Sequence, residues 1–355
     1  MTTPTRRFEA PHRRLERAPR IVEKLVVRAF RSGMWVMARV PARPAALAVG
    51  LGAQLSYLTW PSKRRWSDAN YGHVLGLPPN DPRVRRLALK AYRRYGEYLV
   101  EVMRLPLVGP QEAAAQVFDA LDGVEPIWRG SPGGLIITAG HVGNNEAVAA
   151  GIAGRGWPIN VLADDSAYPE LFDDFRRMRE SWGVKIIPWR NIRQIYGVLK
   201  RREMLALLVD WGYRPDGIPV RLFDAWTTLP AGPATLAAKT GSPILPISIR
   251  RGKDAFEVRW SEPIHVASNH AAELVRATQA MADALAATIG AAPEQWYNFK
   301  PLWPETIEEQ AALQARAEAA LRGAGPAVGP DLSSDPAAAD ASHARTPLDA
   351  VEATP

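Results

Sequence analysis

The stretch GLIITAGHVGNNEAVAAG, residues 134–151, joins a short strand to a helix through a turn that contains glycine. Leu135 to Thr138 is an apolar, β-branched run, as is typical of a buried strand. Gly143 allows a tight turn, and Asn144 or Asn145 suits the N-cap of the following helix. A strand followed at once by a helix is the repeating unit of α/β proteins.

The same alternation continues along the chain beyond this stretch. Further short apolar runs predict strands at 159–162, 184–188, 204–210, 220–223, 244–249 and 256–260. Helical patterns lie around 145–155, 169–182, 191–201, 231–241 and 270–289. We therefore predict an α/β fold with a central, mostly parallel sheet flanked by helices.

The composition excludes several classes of protein. The 355 residues include 47% hydrophobic residues and no cysteine. A disulfide framework, a zinc finger, an iron–sulfur cluster and a thiol nucleophile are therefore all excluded. The chain is long enough to bury a substantial core in one or two domains.

The positive charge is concentrated in the first third of the chain. Residues 1–110 contain 21 Lys and Arg against 7 Asp and Glu, a net charge of +14, whereas the whole chain has a net charge of only +7. Such a segment binds polyanions, either nucleic acid or an anionic membrane surface. Six early arginines precede a stretch, 21–37, with apolar residues at helical spacing and Trp35 near its end. A basic amphipathic helix of this kind is typical of a membrane interface.

Residues 44–62 form a charge-free stretch with proline at both ends and two glycines inside. The stretch is long enough to span a bilayer, although it is only weakly apolar. Three alternatives stay open: a transmembrane helix, a surface-lying or re-entrant hairpin, and an ordinary buried helical pair with a basic outer face. Residues 82–105 predict a further amphipathic helix rich in arginine and tyrosine.

Candidate chemistry lies just after the first predicted strand, because sites in open α/β sheets form at the carboxyl ends of the strands. His141 follows the strand, and Glu146 lies in the first helical turn, where the helix dipole favours a carboxylate. The offset of five residues could bring Glu146 beside the imidazole, as in an activated general base. The alternative is a structural loop histidine with a helix-stabilising glutamate. No second ligand at metal spacing accompanies the pair, so we predict no metal site.

This motif resembles a known family. His141 to Glu146, HVGNNE, matches the H-x4-D/E signature of membrane acyltransferases and resembles the HFGNWE of the late acyltransferases of lipid A biosynthesis, the lauroyl and myristoyl transferases. Phosphatidylinositol mannoside acyltransferases share the signature. Further matches follow in the family's order: R-x-x-x-G at 179–183, an aspartate-ended strand and hairpin at 207–223, T-T-x-x-x-G-x-x-x-L-A within 227–247, and PEQW at 293–296.

The resemblance implies a glycerolipid-acyltransferase-like fold and O-acyl transfer from an acyl thioester to a hydroxyl of a membrane glycolipid. His141 would be the base, Glu146 its orienting carboxylate and Asp210 a second carboxylate in the same pocket. Four further positions are candidate substrate-binding residues, of which Arg179 would bind a phosphate: Asn144, Arg179, Thr228 and Gly232. Trp296 is expected to serve packing.

The chain departs from the family pattern beside the base. Asn145 stands where the family usually has Trp, and Val142 stands where Phe is common. These changes leave the reaction type intact and put the identity of the acceptor in doubt.

The resemblance also implies partners and a location, and the charge distribution and composition indicate a domain division. The acyl donor is acyl-coenzyme A or acyl carrier protein as a substrate, with no cofactor, and the acceptor is a lipid A precursor or a phosphatidylinositol mannoside. We expect an anionic membrane surface and no nucleic acid, at the cytoplasmic face of the inner membrane, with peripheral or single-pass attachment. Residues 1–66 would form a basic amphipathic membrane-associating region, 67–322 the α/β acyltransferase domain and 323–355 a disordered tail. A noncatalytic protein that binds membrane or nucleic acid is the alternative.

Overall fold

A computed structural model describes residues 20–329, except for 116, 118–120, 164–167 and 253–254. Within this part the strands are β1 (Leu135–Ala139), β2 (Ile159–Ala163), β3 (Lys185–Pro188), β4 (Met204–Leu208), β5 (Ile218–Leu222), β6 (Ala225–Leu229), β7 (Ile244–Arg251) and β8 (Phe256–Trp260). The helices are α1 (Arg20–Met37), α2 (Ala42–Thr59), α3 (Pro61–Leu75), α4 (Pro82–Arg104), α5 (Pro110–Ala115), α6 (Val124–Gly130), α7 (Asn145–Gly154), α8 (Pro169–Glu180), α9 (Ile192–Lys200), α10 (Gly232–Thr240), α11 (Ala271–Ala291) and α12 (Ile307–Leu321).

The main sheet confirms the predicted α/β class. Its strands lie in the order β3-β2-β4-β1-β7-β8, and every neighbouring pair is parallel except β7 with β8. The strand β1 lies between β4 and β7, so it is buried on both edges as well as both faces. This position explains its continuous apolar run, since a half-exposed strand would alternate with polar residues.

Helices cover both faces of the sheet. Successive side chains of a strand point to opposite faces, so Leu135 and Ile137 of β1 pack into one core while Ile136 packs into another. The first core contains buried residues of α1, α7 and α8, and the second contains those of α9, α10 and α11.

A third core covers the carboxyl ends of the central strands. Tyr57 of α2, Tyr71 of α3 and several residues of α4 pack there with Val142, Val209 and the segment 296–303. The antiparallel hairpin β5–β6 contributes to the same core. The strand predicted at 220–223 therefore belongs to a separate hairpin and not to the main sheet.

The charge-free stretch 44–62 forms most of α2, and the chain turns at Trp60 into α3. Helices α2 and α4 approach closely through two glycines, because a Cβ on Gly96 would lie 2.5 Å from the Cα of Gly50. None of the helices in the described part of the chain is both long and apolar enough to cross a membrane. Helix α3 runs through position 66, where the predicted first boundary lies.

Two predicted regions lie largely outside the described residues. The first five of the six early arginines fall within 1–19, and most of the predicted disordered tail falls within 330–355. The three-part division of the chain stays a prediction.

Candidate active site

The site begins where β1 and β4, neighbours in the sheet, both end. His141 lies two residues after β1, and Asp210 lies two residues after β4. The Nδ1 atom of His141 lies 2.6 Å from Oδ1 of Asp210. The backbone N–H of His141 also donates to this carboxylate, at 2.9 Å from Oδ2 and 3.1 Å from Oδ1. The parallel strands therefore hold an imidazole and a carboxylate in direct contact.

A third chain segment closes around the pair. The indole Nε1–H of Trp296 donates to Oδ2 of Asp210 at 2.8 Å, and the side-chain amide of Asn298 donates to the Asp210 carbonyl. The backbones of the two loops also pair: the Tyr297 N–H donates to the His141 carbonyl at 2.8 Å. The PEQW motif is thus part of the site, although the sequence predicted only packing for Trp296.

The electrostatics of Asp210 determine which nitrogen of His141 carries a proton. The carboxylate is 0% exposed. Its burial raises the pKa, but the positive charge of protonated His141 and the hydrogen bonds from His141 and Trp296 outweigh burial and hold the pKa of Asp210 below its usual range. An ionised carboxylate accepts hydrogen bonds only, so Nδ1 of neutral His141 is the protonated nitrogen and Nε2 keeps its lone pair. The side chain of His141 is 20% exposed, as a base that meets a substrate requires.

The predicted partnership of Glu146 with His141 is wrong. Glu146 is buried in the first turn of α7, and its two oxygens accept hydrogen bonds from Nε of Arg179 at 2.9 Å and from Nη2 at 2.5 Å. Arg179 lies on α8 and is 1% exposed. The pair therefore ties α7 to α8. The strand order places Asp210 at the imidazole, while α7 directs Glu146 toward the neighbouring helix.

The predicted phosphate-binding role of Arg179 stays a prediction. Its side chain is 1% exposed, and Nε and Nη2 of its guanidinium pair with Glu146, while Nη1 is buried without a hydrogen-bond partner among the described residues. A buried pair of this geometry contributes specificity of packing more than net stability.

Gly143 and Asn144 of the motif shape the turn between His141 and α7. Gly143 has a φ of +66°, and a Cβ there would lie 2.7 Å from the Ile249 carbonyl oxygen, so only glycine fits without strain. Asn144 is the N-cap of α7, accepting a hydrogen bond from the Ala147 N–H at 3.1 Å. It also donates to Glu101 of α4 at 3.1 Å.

A pocket of about 320 Å³ opens beside this turn. Glu101 on its wall pairs with Arg251 at 2.5 Å. Aliphatic and charged side chains share the lining, which consists of Ala42, Arg43, Ala46, Glu97, Val100, Glu101, Arg104, Leu105, Val108, Asn144 and Arg251. The pocket therefore combines the two surface types that an amphiphilic molecule presents.

Two other predicted substrate-binding residues lie elsewhere in the fold. Thr228 is buried in the β5–β6 hairpin, where its hydroxyl donates to the Arg214 carbonyl at 2.6 Å. Gly232 opens α10 and is exposed. The geometry gives Thr228 a structural hydrogen bond, and the substrate-binding role of Gly232 stays a prediction.

Two further residues beside the base, Trp211 and Lys300, were not predicted from the sequence. Trp211 lies next to Asp210, and its ring centroid is 6.0 Å from that of His141. The Lys300 ammonium lies 3.8 Å from the Trp211 ring centroid. An aromatic and cationic wall therefore borders the base. Among the described residues, no group of three or more His, Asp or Glu side chains has the arrangement of a metal site.

Two kinds of comparison show which known proteins the chain resembles. The family model for bacterial lipid A biosynthesis acyltransferase matches residues 17–305. A phosphatidylinositol mannoside acyltransferase from Mycobacterium tuberculosis is 28% identical over 259 residues, covering 70% of this chain and 79% of the relative. One of the same name from Mycolicibacterium smegmatis is 27% identical over 281 residues, covering 76% of this chain and 90% of the relative.

Proposed function

The chain belongs to the bacterial lipid A biosynthesis acyltransferase family, and we propose that it transfers a fatty acyl chain from an acyl thioester to a hydroxyl of a membrane glycolipid, with His141 as the general base. The contact between His141 and Asp210 is the observation that carries this proposal. Because Nδ1 contacts Asp210, Nε2 is the ring nitrogen with a free lone pair, and the His141 side chain is 20% exposed.

The reaction follows from that geometry. Nε2 of His141 takes the proton of the acceptor hydroxyl while the hydroxyl oxygen attacks the thioester carbonyl carbon. Asp210 stabilises the imidazolium that forms, because its buried carboxylate contacts Nδ1. The tetrahedral intermediate then expels the thiolate, which takes the proton from His141, leaving an ester and a free thiol.

The names of the relatives support an acceptor of the phosphatidylinositol mannoside type over a lipid A precursor. The mixed lining of the pocket beside Asn144 suits such an amphiphile, since its arginines would attract a phosphate while Val100 and Leu105 would contact carbon. The donor is acyl-coenzyme A or acyl carrier protein as a second substrate. The chemistry at His141 is the same for both donors, and the proposal needs no resident cofactor.

Membrane association is a further part of the proposal. Four leucines at helical spacing are 43–60% exposed along α2: Leu47, Leu51, Leu55 and Leu58. Trp35 of α1 is also exposed. Cationic side chains flank this apolar face at Arg39, Arg43 and Arg65. Apolar residues bordered by arginines suit peripheral attachment to an anionic bilayer, and we propose the cytoplasmic face of the inner membrane and a membrane-associating role for residues 1–66.

The decisive experiment is acyl transfer by the purified protein. The donor is an acyl-coenzyme A, and the acceptor is phosphatidylinositol mannoside in detergent. His141→Ala should lower kcat about 10²- to 10⁴-fold, the usual contribution of a positioned base. His265→Ala is the matched control, because His265 is exposed and lies after β8. A folded His141→Ala protein with normal turnover would refute the proposal.

The acceptor has its own test. The lipids of cells with and without the gene are compared by mass spectrometry. Loss of one acyl chain from a phosphatidylinositol mannoside supports the acceptor class, whereas loss from lipid A alone would contradict it.

A further inference from the structure

We propose that Trp296 is a positioning residue for acyl transfer, and that its indole N–H fixes the Asp210 carboxylate in the orientation that serves His141. The inference rests on the proposed function of His141 as the base. It assigns Trp296 a role that acts through Asp210, without contact between Trp296 and the reacting atoms.

The distribution of donors around Asp210 carries the inference. Oδ1 faces Nδ1 of His141 at 2.6 Å, while Oδ2 accepts the indole N–H of Trp296 at 2.8 Å and the His141 backbone N–H at 2.9 Å. His141 alone contacts both oxygens, but from one side, and the terminal torsion of an aspartate is soft, so a donor from a second segment restricts rotation of the carboxylate. The indole supplies the side-chain donor on the second oxygen and thereby fixes the carboxylate plane.

The indole is itself held in one orientation. Trp296 is 0% exposed, and its ring meets the Tyr71 ring edge-on with centroids 5.8 Å apart. The Tyr71 hydroxyl donates to the Trp296 carbonyl at 2.6 Å, and Trp296 pairs with Val142 as an isolated antiparallel bridge. An indole N–H donates only, so it stabilises the anionic carboxylate and cannot take a hydrogen bond from a protonated one.

The chain offers a matched control in Trp303. Trp303 belongs to the same aromatic core, is buried, and meets Trp296 edge-on with centroids 6.4 Å apart. Within the described part of the chain, its Nε1 has no hydrogen-bond partner. A change from Trp to Phe therefore removes the same atoms from the same core at both positions, but only at 296 does it remove a hydrogen bond to Asp210.

The experiment measures kcat and KM for the full-length wild type, Trp296→Phe and Trp303→Phe with an acyl-coenzyme A donor and a glycolipid acceptor. Trp296→Phe should lower kcat about tenfold with little change in KM, because a hydrogen bond to a charged group is lost. Trp303→Phe should leave both constants within about twofold. Equal effects of the two substitutions would overturn the inference and indicate packing alone.

A double-mutant cycle separates positioning from a general structural role. Asp210→Asn is combined with Trp296→Phe, since coupled residues give non-additive effects. If Trp296 acts through Asp210, adding Trp296→Phe to Asp210→Asn should change kcat less than about twofold. The same loss in both backgrounds would overturn the inference.

Comparison with His141→Ala distinguishes the inference from the proposed function. An NMR measurement on Asp210→Asn tests it without the Trp296→Phe protein. An inactive His141→Ala alongside a fully active Trp296→Phe would refute positioning and leave His141 as the base, whereas an active His141→Ala would refute the proposed function. In ¹⁵N-tryptophan-labelled protein, Asp210→Asn should move the indole proton resonance of Trp296 and leave that of Trp303. An unmoved Trp296 resonance would overturn the inference.

Discussion

Replacing Asp210 by Asn tests the site most directly, because the substitution keeps the shape of the side chain and removes its charge. Both carboxylate oxygens accept from N–H donors in the structure. An amide has one oxygen and one NH₂ group, so its NH₂ must face either Nδ1 of His141 or the indole N–H of Trp296. If the NH₂ faces Nδ1 of His141, the ring must protonate Nε2 instead and can no longer act as a base. If the NH₂ faces Trp296, two N–H groups point at each other.

The size of the effect follows from these two orientations. One orientation removes the base, which contributes about 10² to 10⁴ in rate. The other keeps an amide oxygen at Nδ1–H of His141 but removes the charge that stabilises the imidazolium, so in both cases kcat should fall, by up to about 10⁴-fold. An unsatisfied buried donor costs about 1–3 kcal/mol. The neutral amide avoids burial of a charge, which offsets part of this cost. We therefore expect the free energy of unfolding to fall by about 1–2 kcal/mol.

The assay follows radiolabelled acyl transfer at saturating donor, with urea unfolding of the same preparations. The unfolding data show whether the variant is folded under assay conditions. A folded Asp210→Asn protein with kcat within about fivefold of wild type would refute the reasoning, because neither amide orientation keeps both the Nδ1–H tautomer of His141 and the charge that stabilises its imidazolium. Asn is the informative substitution, since Ala would also leave a cavity.

The remaining predictions concern stability and membrane binding. The pKa of Asp210 lies below its usual value, so the ionised carboxylate stabilises the fold at neutral pH. This contribution is lost as the pH falls from about 4 through the lower folded pKa. In urea titrations the free energy of unfolding of the wild type should therefore fall more steeply toward acid than that of Asp210→Asn. Arg179→Met should cost about 3–5 kcal/mol, because it leaves Glu146 buried and unpaired, and adding Glu146→Gln should recover much of that loss in the same assay. Leu55→Glu should lower the affinity for anionic vesicles, measured by co-sedimentation, about tenfold or more. Ile307→Glu, at an exposed apolar position on α12, should leave this affinity unchanged.

Hydrogen bonds join helix α3 to the segment that surrounds Asp210. Asn70 of α3 donates to the carbonyls of Asn298 and Lys300, at 3.1 and 2.7 Å. Asn298 in turn donates to the Asp210 carbonyl. Helix α3, which directly follows α2, is therefore joined by hydrogen bonds to the segment that surrounds the site.

Local sequence patterns were sufficient to predict the fold class. Apolar β-branched runs alternating with helical periodicity indicated a mostly parallel sheet, and β1 lies within it as predicted. The motif from His141 to Glu146 also predicted the turn after β1. Gly143 is required there by its positive φ, and Asn144 caps the next helix by accepting a hydrogen bond from a nearby backbone amide. These properties are local, so the residues themselves determine them.

The partners of the site residues depended on tertiary structure. Strand order is not encoded in periodicity, and only the adjacency of β1 and β4 brings Asp210, 69 residues away, to His141. The direction of Glu146 depended on the packing of α7 against α8, which supplied Arg179 as its partner. Trp296 reached Asp210 across 86 residues because its segment pairs with the loop after β1. The five-residue spacing favoured Glu146 as the partner of His141. The packing of strands and helices instead placed Asp210 at His141 and Arg179 at Glu146.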